Sequence, residues 1–175
     1  MPLTALQILF VNFFSDSFPA LALAFEEGID GLGKKPRALD RNLFDRAMRV
    51  QIVVIGIATS LLLFVLYAAL LVWGFAEPLV RTFVFASFAT YTLFLVFSVR
   101  SLERSIFTYN PFSNRLLTAG AGVGIMLTLL AVYLPWGQRL FGTVPLPLPW
   151  LLGVVVVGLA NILAVEAGKW FLKKE

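Results

Sequence analysis

Asn12, Ser15, Asp16 and Pro19 stand together inside the apolar stretch LQILFVNFFSDSFPALALAF, residues 6–25. That stretch is long enough to cross a bilayer. A carboxylate in hydrocarbon is costly and usually faces a bundle interior or an ion path. Asn12 and Asp16 are spaced i, i+4, and Ser15 is i+3 from Asn12. An α-helix therefore puts all three oxygen-bearing side chains on one face. Pro19 lacks a backbone N–H, and its ring clashes with the carbonyl of residue i−4, which is Ser15. Side-chain oxygens beside a loosened main-chain carbonyl are the parts of a hard-cation site. The competing expectation is packing: Asn and Ser as interhelical glue, with Asp16 paired to a basic neighbour.

The elements that must position these residues follow from composition. Of 175 residues only 14% are charged, and the mean hydropathy is +0.88, which excludes a soluble domain. The chain has neither Cys nor His, so thiolate chemistry is excluded and a zinc or copper centre is disfavoured. The net charge of +4 fits the positive-inside rule rather than nucleic-acid binding. The start carries neither a basic leader nor a small-residue cleavage site.

The pattern predicts an all-α membrane protein, one bundle over residues 1–175, with five transmembrane helices at about 3–25, 50–73, 79–98, 116–134 and 150–172. Trp73, Trp136, Trp150 and Trp170 fall near span ends, where amphipathic rings prefer to sit. Twelve of the fourteen Lys and Arg lie in the first connection, the third connection and the tail. That places the N-terminus outside and the C-terminus in the cytoplasm. A chain that starts directly in an outer-side span is expected to be the tail of a longer protein.

The remaining polar residues carry weaker signals. The glycines of the first connection match no phosphate-binding spacing, and that segment is as well suited to a solvated linker as to a docking surface. Gly56 is a possible close-packing point, Thr90 and Thr92 suit helix contacts, and Gly120 and Gly124 make a GxxxG face. Glu166 and Lys169, spaced i, i+3, are expected to form an ion pair near the cytoplasmic face. Glu103 lies between Arg100 and Arg104, which suggests a surface ion pair; a continued helix would turn it toward the mouth of the site.

At LQILFVNFFSDSFPALALAFE the sequence resembles the sixth transmembrane helix of type II P-type cation-transporting ATPases, in their calcium-pump-like branch. The family pattern is Asn or Asp, then Ser or Thr three later, Asp four later and Pro three beyond. Those positions fall on Asn12, Ser15, Asp16 and Pro19. Lys34 to Arg37, KKPR, resembles the basic element of the loop that follows that helix. Five spans, Pro111 eight residues beyond Glu103, and the EAGKWF tail extend the resemblance over helices six to ten. Ser17 stands where many members carry Gly.

The resemblance implies that Asn12, Asp16 and Ser15 are cation ligands, with Glu103 at the place of a helix-eight ligand. It implies Ca²⁺ as the transported cation, with Mn²⁺, Na⁺, K⁺ or H⁺ open. It also implies a plasma membrane of bacterial type. The partners would be the bilayer and the N-terminal remainder of the pump: helices one to five and the cytoplasmic domains that use ATP and Mg²⁺. The family's DKTGT phosphorylation motif and helix-four carboxylate are absent from this sequence, so the chain alone should neither hydrolyse ATP nor bind the ion tightly. The alternatives are a freestanding bundle acting as a split subunit or structural or regulatory membrane protein, and, third, a small channel or carrier.

Overall fold

The structure, a computed structural model, describes residues 1–25, 46–100 and 105–172. These form α1 (Ala5–Phe10), a π-helical turn (Val11–Asp16), α2 (Ser17–Ala24), α3 (Arg46–Val72), α4 (Glu77–Val99), a 3₁₀ turn (Ile106–Thr108), α5 (Arg115–Tyr133), α6 (Pro135–Phe141) and α7 (Leu148–Leu172). Among the described residues there are no strands. Ala5–Ala24, Glu77–Val99, Arg115–Tyr133 and Leu148–Lys169 are each long and apolar enough to cross a membrane, and Thr59–Val72 is a shorter apolar part of α3. The protein is an all-α, multi-pass membrane bundle with four long apolar helices and one shorter one.

The bundle is built around α4. In its most apolar stretch 72% of the residues are buried, against 33% or less in the other three long apolar helices. It packs against α7, α5, α3 and the π turn. Lipid tails are as apolar as leucine, so helices associate through close packing and hydrogen bonds rather than by hiding apolar surface. Glycines provide the close packing. A side chain at Gly158 would meet the Phe94 ring at 2.8 Å, and one at Gly124 would meet Leu93 at 2.6 Å. Gly120 faces the main chain of Phe18 on α2, so the GxxxG face of α5 serves two neighbours. Gly56 is exposed with nothing near it among the described residues, and does not act as a packing point.

At the end of the bundle where the chain starts, a network of main-chain acceptors caps the helices. Thr4 and Gln7 form a reciprocal capping box, Thr4 N donating to Gln7 Oε1 at 2.9 Å and Gln7 N to Thr4 Oγ1 at 3.3 Å. The fully buried Gln7 amide also donates to the Phe141 carbonyl at 3.1 Å, tying α1 to α6. Helix α6 was not foreseen in the proline-rich connection. Pro135 opens it, and Gly142, at φ 63°, closes it in the left-handed conformation.

At the other end Glu166 and Lys169 are buried together, Nζ to Oε1 at 2.7 Å. Lys169 also donates to the Ser98 carbonyl at 2.6 Å and to Ser98 Oγ at 3.0 Å. Ser98 Oγ donates to Glu166 Oε1, and Ile106 N donates to Glu166 Oε2 at 3.2 Å. The predicted ion pair is therefore a clamp between α7, the end of α4 and the segment entering the 3₁₀ turn.

Two outcomes follow from this packing. A Cβ at Gly137 would lie 2.7 Å from the Leu130 carbonyl and 2.8 Å from Ala131 Cα, main-chain atoms that cannot step aside. Gly137→Ala should cost about 1–3 kcal/mol, whereas Gly56→Ala should be neutral or slightly stabilising; thermal unfolding in lipid nanodiscs compares them. Lys169→Met leaves a buried carboxylate unpaired and should cost about 3–5 kcal/mol. The Glu166→Gln, Lys169→Met double variant should be less damaged than Lys169→Met alone, read in the same melts.

Candidate cation site

Pro19 acts on the helix as its chemistry dictates. It removes the donor that would bond the Ser15 carbonyl, and the turn directly before it widens into the π-helical segment Val11–Asp16. Asp16 carries the distortion, with φ −100° and ψ −44°, and Ser17 returns to φ −70° and ψ −42°. Ser17 Oγ donates to the Asn12 carbonyl at 3.0 Å across the widened turn. Pro19 itself is buried.

The widening changes which residues share a face. Asn12 and Asp16 both lie on the exposed side of the helix, on the face that the described helices leave open. Ser15 points the other way and is fully buried; among the described residues its hydroxyl has no hydrogen-bond partner. The expectation of one face for all three holds for Asn12 and Asp16 and fails for Ser15. A π turn has more residues per revolution, so a residue three along is rotated further from its start than in an α-helix. Glu103, the fourth candidate, lies outside the described residues.

Helix α4 contributes what lies beside the carboxylate. Thr92 brings its hydroxyl within hydrogen-bond reach of Asp16 and also donates to the Ala89 carbonyl at 2.9 Å. Tyr91 stands close enough to feel the Asp16 charge, and its phenol is within reach of Thr59 on α3. Thr59 in turn donates to Asn161 Oδ1 on α7 at 2.9 Å. Thr59 and Asn161 thus hydrogen-bond α3 to α7, and Tyr91 and Thr92 of α4 lie near Asp16. Thr92 was visible in the sequence as a helix-contact residue, but its place opposite Asp16 needed the packing of α4 on the π turn. Nothing in the sequence singled out Tyr91.

Among the described residues no three His, Cys, Asp or Glu side chains converge. The oxygens gathered here are one carboxylate, one amide and the hydroxyl of Thr92. Calcium takes six to eight oxygen ligands, more than these groups supply.

The fold and the site define an all-α membrane bundle with a polar π-helical turn in one of its helices. The chain belongs to the family described as "Cation transporting ATPase, C-terminus", which it matches over residues 1–171. It is 35% identical over 171 residues to the calcium-transporting ATPase of Bacillus subtilis, covering 93% of this chain and 18% of that protein. Calcium-transporting ATPase 1 of Yarrowia lipolytica is 28% identical over 173 residues, covering 98% and 19% respectively. Human calcium-transporting ATPase type 2C member 1 is 30% identical over 171 residues, covering 95% and 18%. The chain thus spans just under a fifth of the length of these curated relatives.

Proposed function

We propose that this chain supplies one wall of the transmembrane cation site of an ATP-driven calcium pump. Asn12 and Asp16 are its ligands to the transported ion. The observation that carries this reading is their shared placement within the widened turn Val11–Asp16, on the open face of the bundle. A carboxylate, an amide oxygen and a nearby hydroxyl are hard donors suited to Ca²⁺. The relatives' own names, calcium-transporting ATPases, support the same ion. Ser15, turned inward, reaches that ion only if the turn rotates, and Glu103 would add a second carboxylate from the segment after α4.

The N-terminal remainder of the pump completes the coordination shell from its own helices and supplies ATP hydrolysis and Mg²⁺ in cytoplasmic domains. The basic connections face the cytoplasm, and the membrane is a plasma membrane of bacterial type. Coupling then consists of changing the oxygen count around the ion as the helices move, so that it binds from one side and leaves to the other.

In the intact pump, Asp16→Asn should abolish Ca²⁺-dependent phosphorylation from ATP while phosphorylation from inorganic phosphate persists. Normal Ca²⁺ dependence in that variant would remove Asp16 from the ligand set. The reading as a freestanding bundle has a separate check, an immunoblot of native membranes with an antibody to the tail AGKWFLKKE. The pump reading expects one band several-fold above 19.4 kDa; a band at that mass would favour the freestanding bundle.

A further inference from the structure

The widened turn contains a hydrogen bond that a regular helix has no place for. Ser17 Oγ reaches back five residues to the Asn12 carbonyl, at 3.0 Å. Serine in an α-helix ordinarily bonds the carbonyl three or four residues earlier. The five-residue reach matches the i→i+5 period of the π turn that ends at Asp16. Both ends of the bond adjoin the site: Asn12 is the acceptor, and Asp16 is the residue covalently before the donor.

The rest of the helix is held on either side of this turn. Ahead of it, α1 is fastened by Gln7 to the Phe141 carbonyl. Behind it, the main chain of Phe18 lies against Gly120 of α5, 3.8 Å from where a Cβ would stand. What is free to change is the turn between these anchors. Pro19 explains why an ordinary α-helical bond is missing there, but it supplies nothing that holds the wide form in place.

We propose that Ser17 is a positioning residue of the cation site, whose hydroxyl staples the π turn open. The staple holds Asn12 and Asp16 on the open face and keeps Ser15 turned inward. The proposal rests on the cation-site reading above. The bond lies on the exposed side of the helix, so its hold on the turn rests on its geometry and not on burial. The serine side chain is short, so the bond specifies where the Asn12 main chain must lie. Without it the turn tightens toward α-helical pairing, Asp16 relaxes from φ −100°, and Ser15 swings toward the Asn12 face. Ion binding must then reopen the turn, which weakens affinity without touching the phosphorylation chemistry.

The test uses the intact pump carrying Ser17→Ala, Ser17→Gly or Ser17→Thr, with Asp16→Asn in parallel. Each is titrated with Ca²⁺, and phosphorylation from ATP is measured. Ser17→Ala and Ser17→Gly should lower Ca²⁺ affinity about tenfold, as loss of a supporting hydrogen bond around a metal ligand does. Phosphorylation at saturating Ca²⁺ should be unchanged, and Ser17→Thr, which keeps the hydroxyl, should restore affinity. Wild-type affinity in Ser17→Ala overturns the proposal. So does an equal fall in the Ala and Thr variants, which would point to side-chain volume and not to the hydroxyl. If Ser17→Ala fails to assemble, the Gly and Thr pair gives the same contrast. Loss of response in Asp16→Asn with normal affinity in Ser17→Ala sinks the staple alone; a normal Asp16→Asn sinks the site beneath it.

Discussion

A backbone carbonyl inside a bilayer has no water to turn to, and leaving it without a donor costs several kcal/mol. Pro19 imposes that problem on the Ser15 carbonyl, and the helix that carries it is shaped accordingly. The helix widens and distorts at Asp16, and within the widened turn the Ser17 hydroxyl bonds the Asn12 carbonyl. The same local loosening brings an amide and a carboxylate to one edge of the helix. A structural debt in the backbone and a polar site in the side chains thus share one cause.

The rest of the bundle keeps that loosened helix in place. Helix α4 lies at the centre and presents Phe85 to Phe10, ring centroids 5.4 Å apart, and Thr92 to Asp16. Its own position is secured at two levels. Near its start, Thr82 Oγ1 accepts from Val144 N of the proline-rich connection at 3.0 Å. At its other end Ser98 is gripped by Lys169 and Glu166 of α7. Thr82 thus fastens α4 to that connection, and Ser98, Glu166 and Lys169 fasten it to α7, while α2, α3 and α7 each keep exposed apolar side chains.

Much of this architecture was legible in the sequence, because hydropathy follows directly from the solvent in which a helix must live. Four long apolar helices and the shorter apolar part of α3 lie where hydropathy predicts spans, and the Glu166–Lys169 pair follows from its i, i+3 spacing. The inward turn of Ser15 was not legible, because a face argument presumes the α-helical period that Pro19 destroys. Helix α6 was obscured by four prolines in a short stretch, although Pro135 at its start and Gly142 past its end are the ordinary marks of a helix. The capping box was written plainly as Thr4-Ala-Leu-Gln7 and went unread. The pairing of Thr92 with Asp16 depends on two helices meeting, which no local pattern encodes.

The clamp at Ser98 has a consequence for the order in which the bundle is assembled. Glu166 and Lys169 are one turn apart on the same helix, so α7 can enter the bilayer with its charges already neutralising each other. Helix α4 precedes α7 in the chain, so it is synthesised first, with its Ser98 carbonyl and hydroxyl waiting for partners not yet made. The end of the central helix is therefore locked late: its packing on α3, α5 and the π turn can precede α7, but the bonds at Ser98 cannot.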